Sequence, residues 1–413
     1  MGKYDDYEKE ELIKIIQQQE NELKQKKYGL VWDSEREPEQ VVLDCENSLP
    51  ILEHITSKTI NTCNDEDNIL IEGDNYHALS VLNYTHKEKI DVIYIDPPYN
   101  TGSKDFIYND NYVNNEDTYR HSKWLNFMNK RLNLAKGLLK KDGVIFASID
   151  DNEYPRLILL FEKIFGENNL KTIVVKMSET SGLKMGSVLK NGSIPKLKEY
   201  LVIAKMDGIR DLYLDRIPKE NWDNEYNIFL DNFTKEDKLN IDLISQQDNI
   251  SEQDIQIVDN IAEKIILSSV SIKLKELNIT SEKDKNSWLF ENAYRITRTT
   301  ASNSVHKLAM EKKVYNSNEL FFVKSATGLL YFVKSTFSKE SKKPRVQMIF
   351  AEDNLTQHPG DFWADIKTTG LDNEGGVDFK NGKKPIKLIE RILKSIKKEK
   401  ITVLDFFAGS GTT

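Results

Sequence analysis

Cysteine is almost absent: Cys45 and Cys63 are the two in 413 residues. That is too few for a disulfide framework, and the pair lacks the CxxC spacing of a zinc site. The compartment is therefore expected to be reducing. The six histidines are scattered, none in an HxxxH or HxxE arrangement, so no structural or catalytic metal is expected. Long apolar runs are missing too. None spans the roughly 20 residues that a bilayer requires, and the charged start MGKYDDYEKEE has no signal-peptide pattern. The chain reads as soluble and cytoplasmic, with no membrane partner. There is no internal repeat or low-complexity tract, and no GxGxxG, which disfavours a nicotinamide cofactor.

Net positive charge is also lacking. The balance of −8 argues at first sight against a nucleic-acid partner, because Lys and Arg facing phosphates supply most non-specific affinity. Distribution matters more than the sum. Acidic residues dominate Asp211 to Glu263, whereas Lys334 to Arg345 and Lys380 to Lys400 are rich in Lys and Arg. A basic face with an acidic back suits a DNA enzyme; on charge alone, either basic run reads equally as a solvated surface.

What is present is an interrupted α/β rhythm. Residues 5–27 read as a helix with Leu12, Ile15, Ile16 and Leu23 on one side. It serves either as a dimer or partner contact or as a helix packed on its own domain. From Asn68 onward, short apolar runs alternate with helical stretches, the signature of a sheet with helices on its faces. Buried strands are expected at Asp91–Asp96, Gly143–Ile149 and Tyr200–Ala204. Helices are expected across Trp124, Met128, Leu132, Ala135 and Leu139, and over Tyr154–Phe165, closed by Gly166. Residues 206–349 lose this rhythm and become polar, with strand-like pieces at Glu319–Val323 and Leu329–Val333, which marks a second domain inserted into the first. The rhythm returns with a helix over Pro385–Lys397 and a strand over Ile401–Asp405 that runs into Phe406-Phe-Ala-Gly-Ser-Gly-Thr-Thr413.

Two strand ends carry chemistry. The glycines of FAGSG let the backbone turn sharply and approach a ligand, as in a nucleotide-type cofactor loop. Asp96-Pro97-Pro98-Tyr99 also follows an apolar strand. Its prolines fix φ and remove donors, leaving the Asp96 carboxylate and neighbouring carbonyls as a rigid acceptor cluster beside an aromatic ring. Such a cluster suits a planar base with an exocyclic NH2: Asp96 and the Pro97 carbonyl would accept its two N–H groups while Tyr99 stacks on the ring. Either motif alone is also compatible with an ordinary turn.

Together, and in this order, they resemble the β-group amino methyltransferases, most closely the modification subunits of type III restriction–modification systems. The resemblance rests on Gly73-Asp74-Asn75, Tyr94–Gly102, Gly143–Glu153, Trp363-Ala-Asp365, Lys384-Pro385 and Phe407–Gly411. It implies an S-adenosylmethionine-dependent methyltransferase fold, an α/β Rossmann-like sheet, and N6 methylation of an adenine flipped out of double-stranded DNA. It further implies a homodimer and an accompanying restriction (helicase/nuclease) subunit. Residue by residue, Asp96, Pro97, Pro98 and Tyr99 match the catalytic tetrad. Asp405, Phe407, Ala408, Gly409, Ser410 and Gly411 match the cofactor loop, Lys384 and Pro385 a segment near the methionine end of the cofactor, and Asp74 and Asn75 a further cofactor-pocket motif. The expected domains are an N-terminal helical arm and connector (1–40), the catalytic part (41–205), a target-recognition domain (206–349) and the start of the cofactor-binding part (350–413). Within the insert, Tyr294, Arg295, Arg298, Thr299, Thr300 and Lys307 are candidates for phosphate or base contacts.

Alternatives remain open. Cytosine-C5 chemistry needs a nucleophilic cysteine, and neither Cys45 nor Cys63 stands in a Pro-Cys context. Cytosine N4 would use the same acceptor cluster, and Asp rather than Ser at position 96 favours adenine by resemblance only. The helix and acidic strand end expected after the glycine loop do not follow Thr413. The chain is therefore expected to be a fragment, one half of a split pair, or a non-catalytic DNA- or partner-binding chain.

Overall fold

In the computed structural model the described residues are 39–60, 68–102, 106–109, 111–178, 192–336, 344–366 and 382–413, with a few isolated positions besides. The helix expected over 5–27 lies almost wholly outside them. The chain forms two compact units, Met1–Asp215 with Pro359–Thr413, and Arg216–His358. Composition drew the insert at 206–349, and packing shows why the two ranges differ. Ile209, Leu212 and Leu214 pack on the first unit's core, and the Tyr213 N–H donates to the Ser395 carbonyl (2.9 Å). At the far end, Phe350, Ala351 and Leu355 belong to apolar clusters of the second unit. No helix among the described residues is long and apolar enough to cross a membrane.

The first unit is built on a six-stranded sheet with helices on both faces. Its strands are β1 (Ile90–Ile95), β2 (Leu139–Ile149), β3 (Leu170–Lys176), β4 (Lys198–Lys205), β5 (Phe362–Trp363) and β6 (Val403–Leu404), in the order β5-β3-β4-β2-β1-β6. β1 runs parallel to β2 and β6, whereas β4 is antiparallel to both β2 and β3. Val92 stands opposite both Val144 and Val403, so the ends of β1 and β6 lie side by side.

Burial on both faces explains the nearly continuous apolar strands. Ile93, Ile95, Ile145 and Ala147 pack against α2 (Asn75–Thr85), α3 (Arg120–Leu138) and α4 (Tyr154–Phe165), through Leu79, Trp124, Met128, Leu132, Leu157 and Phe161. Val92, Tyr94, Val144 and Phe146 face the other way, toward Leu388, Ile389 and Ile392 of α5 (Ile386–Lys394). Helix α1 (Gln40–Asn47) precedes them all. The expected helix over Tyr154–Phe165 forms with those bounds: Pro155 starts it, and Gly166 at φ +93° ends it in a conformation that L side chains rarely adopt. β3 was not anticipated, because its buried Ile173 and Val175 alternate with half-exposed residues between lysines.

The second unit holds its own six-stranded antiparallel sheet, ordered 320–324, 330–334, 345–350, 296–301, 228–231 and 266–269. The two strand-like pieces read from sequence form a hairpin there, with Phe322 stacked on Phe332 at 4.7 Å. Acidic residues of the insert act as helix caps: Thr234 with Asp237, and Ser251 with Asp254, close capping boxes.

Candidate active site

Parallel strands of an open sheet present their C-terminal ends as a crevice, and both sequence-predicted motifs stand there. β1 ends at Ile95 and delivers Asp96, Pro97, Pro98 and Tyr99; β6 ends at Leu404 and delivers Asp405 and the glycine loop. The Pro98 carbonyl accepts from the indole Nε1 of fully buried Trp124 on α3 (2.7 Å), which pins the proline turn to the helix behind it. Asn100 continues the chain at φ +55° and is wholly buried, its amide donating to Glu153, which in turn contacts His121 Nδ1 at 2.6 Å.

Around Asp96 the structure gathers four side chains from three places: Asp96 and Tyr99 after β1, Glu199 on β4 and Lys384 before α5. Lys384 Nζ, just before α5, lies 3.2 Å from Asp96 Oδ1 and donates to Tyr99 Oη (2.6 Å) and to Glu199 Oε2 on β4 (2.9 Å). The Tyr99 hydroxyl donates to the same Glu199 oxygen (2.8 Å). Asp96 Oδ1 is buried and, apart from the nearby ammonium charge, has no well-aligned donor among the described residues, yet 22 % of the side chain is accessible. Asp96 thus turns a buried oxygen toward the Lys384 ammonium while part of its side chain stays accessible.

The electrostatics follow from this crowding. Burial raises the Asp96 carboxyl above its ordinary range, Lys384 opposes the rise and Glu199 reinforces it. For Lys384, burial works against the charge, but Asp96 and Glu199 outweigh it and hold the ammonium well above the usual lysine value. Burial also acts against charge on Glu199, yet Lys384 brings its carboxyl below the ordinary range. Two carboxyl groups therefore share one firmly protonated lysine, and Glu199 is the one whose ionised form the lysine favours most plainly. Burial, with Asp96 and Glu199 beside it, keeps the Tyr99 phenol protonated far above pH 7.

Beside this group lies a cavity of about 450 Å³ whose wall includes Asp74, Asn75, Pro98, Phe127, Arg131 and Phe406. Asp74 caps α2 by accepting from Tyr76 N (2.7 Å), and Asn75 bridges the Phe406 carbonyl (2.9 Å) and Arg131 Nε (2.5 Å). Arg131 is fully buried, stacks on Phe127 at 3.6 Å and pairs with Glu39 (3.0 Å), so one guanidinium holds α1, α2 and α3 around the cavity. In the glycine loop, Gly409 and Gly411 take φ +53° and +71°, values a side chain would strain. Asp405 secures the turn by accepting from Phe407 N (2.9 Å) and Thr413 Oγ1 (2.6 Å). Phe406 lines the cavity and Phe407 leans on Phe127 (6.0 Å), whereas Ala408–Gly411 do not line it. Lys384 and Pro385 also stand off this wall: the lysine points to Asp96 while its carbonyl accepts from Thr412 Oγ1 (3.3 Å), and Pro385 caps α5.

Of the candidate contacts in the second unit, the Arg295 guanidinium donates to Asn292 Oδ1 (2.6 and 3.0 Å), and that of Arg298 pairs with Glu225. Thr299 offers its carbonyl to Arg345 (2.9 Å), whereas Lys307 is solvent-exposed. Sequence reasoning missed Glu199, Arg131 and Glu39. Glu199 precedes an apolar run and reads as a strand's solvated end; the buried arginine sits on the apolar face of α3, which was the one available signal.

Comparison with known proteins agrees with this geometry. A family model described as DNA methylase matches residues 90–270 and 255–413. The probable type III restriction-modification enzyme HindVI Mod subunit of Haemophilus influenzae is 31% identical over 366 residues, covering 84% of this chain and 46% of its own. The EcoPI Mod subunit of Escherichia phage P1, also of a type III restriction-modification enzyme, is 28% identical, covering 98% of this chain and 63% of its own. The type II methyltransferase M.KpnI of Klebsiella pneumoniae is 29% identical, covering 86% and 78%. The chain thus spans about half to two thirds of the length of these two type III relatives.

Proposed function

This chain belongs to the DNA methylase family, and we propose that it transfers a methyl group from S-adenosylmethionine to N6 of adenine in double-stranded DNA, as the modification component of a restriction–modification system. The observation that carries the reading is Asp96: a carboxylate at the C-terminal end of a parallel strand, followed by two prolines, with one buried oxygen toward Lys384 and part of its side chain accessible. An aromatic amine is a poor nucleophile because its lone pair is delocalised into the ring. Asp96 and the Pro97 carbonyl would accept its two N–H groups and draw the nitrogen toward a tetrahedral form. The same acceptors bind more strongly as positive charge develops there, which is stabilisation of the transition state. Tyr99, held by its hydroxyl at Glu199 and Lys384, offers its ring to a base flipped out of the duplex.

The adjoining cavity fits the cofactor. Its volume of about 450 Å³, its Phe127 and Phe406 rings and the Asp74 carboxylate suit a flat adenosine with a hydroxyl-bearing sugar and a cationic tail. When bound, S-adenosylmethionine supplies an electrophilic methyl group on a sulfonium. We assign the inserted unit to target recognition. On the likeness to Mod subunits we place the chain in the cytoplasm, as a homodimer working with a restriction subunit.

The test is transfer of labelled methyl from S-adenosylmethionine to mixed-sequence DNA, followed by nucleoside analysis. N6-methyladenine that disappears in Asp96→Ala, with cofactor affinity within about threefold of the parent because Asp96 lies off the cavity wall, supports the reading. Label on cytosine N4, or undiminished transfer by Asp96→Ala, refutes it.

A further inference from the structure

Glu199 matches none of the motifs that carried the sequence reading, yet it is the hub of the group around Asp96. Its Oε2 accepts from both Lys384 Nζ (2.9 Å) and the Tyr99 hydroxyl (2.8 Å), and its side chain is only 18 % exposed. The number of donors decides what this does. The ammonium has three protons, directed at Glu199, at Tyr99 and, with poorer alignment, toward Asp96. The phenol has one proton to donate, and it is directed at Glu199. If position 199 carried no charge, both donors would be drawn to the one carboxylate left beside them, because a charged acceptor binds a donor more strongly than a neutral one. Asp96 would then spend on lysine and tyrosine the acceptor capacity that an incoming amine needs, and the Tyr99 ring would lose its anchor.

We propose that Glu199 is the positioning residue of the reaction: by drawing Lys384 and Tyr99 onto itself, it keeps Asp96 a charged acceptor free for the substrate amine. The inference rests on the methyl-transfer reading above and deepens it. It also carries a signature that a merely structural role lacks. Glu199 and the other titratable groups facing Asp96, namely Lys384 before α5, the neutral phenols of Tyr94 and Tyr99, and Asp405 after β6, set where Asp96 titrates. Removing the Glu199 charge and letting Lys384 pair fully with Asp96 both make the carboxylate easier to ionise. A Glu199→Gln enzyme is therefore slower although its catalytic carboxylate is more stably charged.

The experiment compares the parent chain with Glu199→Gln. Two readouts are used: methyl transfer to DNA from pH 5 to 9, and carbon-13 spectra of aspartate-labelled protein in which Asp96 is the signal lost in Asp96→Asn. The expected result is a kcat lower by about tenfold or more, the rate equivalent of misplacing one charge-assisted hydrogen bond. KM for DNA and cofactor should stay within about threefold, while the acid limb and the Asp96 titration both move to lower pH. A parent-like kcat, or an Asp96 titration that stays in place, overturns the proposal; so does a fall in KM terms and stability with kcat unchanged. If Glu199→Gln does not fold, Glu199→Asp decides. It keeps the charge but shortens the reach to Tyr99, so kcat must fall with the acid limb in place, and a parent-like kcat overturns the idea. A parent chain without any transfer sinks the proposed function instead, and the carbon-13 titration still decides the role of Glu199.

Discussion

Replacing Lys384 by Met tests the electrostatic reading most directly, because family likeness and geometry give that lysine different jobs. The likeness puts it at the methionine end of the cofactor; the structure puts its Nζ 3.2 Å from Asp96 and 2.9 Å from Glu199, off the cavity wall. Unit charges at 3.2 Å attract by roughly 5 kcal/mol at an effective dielectric near 20. At about 1.4 kcal/mol per pKa unit, that sets an upper limit between about three and four units on how far the lysine favours the charged form of Asp96. Relaxation and water entry screen much of it, and an upward shift of at least about one unit survives. The sign is definite. Burial already raises Asp96, and losing the ammonium while Glu199 remains raises it further, so the acid limb of kcat moves to higher pH. The assay is kcat from pH 5 to 9 together with the cofactor dissociation constant, at a temperature where the variant's thermal melt shows it folded. The expected pattern is a displaced acid limb with cofactor affinity within about threefold of the parent. An acid limb that stays put while the cofactor constant rises tenfold or more would refute the reasoning and restore the lysine to the cofactor. The Glu199→Gln and Lys384→Met shifts are of opposite sign, so a general loosening of the site cannot imitate both.

Two further predictions concern the scaffold. Trp124→Phe removes the Nε1–H donor of a buried indole from the Pro98 carbonyl (2.7 Å) at the cavity wall; it should lower stability by about 0.5–1.5 kcal/mol, the net worth of one hydrogen bond, and a urea midpoint equal to the parent's would contradict that pinning. Asp365 takes a two-pronged bond from Arg391 (2.9 and 2.5 Å) and an ion pair from Lys387 (2.8 Å), and the Arg391 bonds foremost hold its carboxyl well below the usual aspartate value despite burial. A depressed carboxyl stabilises the fold above the unfolded value of about 3.9 and loses that contribution as pH falls through the folded one. Asp365→Asn should accordingly cost about 2–4 kcal/mol at pH 7 and progressively less below pH 4; a cost independent of pH, read from denaturant curves at both values, would rule the ion pair out as its origin.

Strands that are buried on both faces were legible because their environment demands uninterrupted apolar residues: Asp91–Asp96 and Gly143–Ile149 were read within a few residues of β1 and β2. Gly166 marked the end of α4 for a purely local reason, since it adopts a positive φ that other residues avoid whatever surrounds it. The motif residues were legible in the same way, as strand ends whose proline or glycine content serves no strand. The sheet edge was not. β5 is two residues long and pairs with β3, and a pair that short leaves no periodicity to count.

Glu199 shows where such reading stops and why. A glutamate ahead of an apolar run is, locally, a solvated strand end, and nothing within several residues contradicts that. Its meaning depends on β4 entering the sheet antiparallel between β2 and β3, which brings its first residues to the same end of the sheet as the last residues of β1. It depends equally on a lysine 185 positions away. Local sequence rules describe one residue's preference for one environment, whereas here the quantity that matters is a count of donors and acceptors shared by four side chains from three places in the fold. The tetrad can be found by pattern because its prolines act on their own neighbours. The residues that set its charge act through space, and only topology determines which they are.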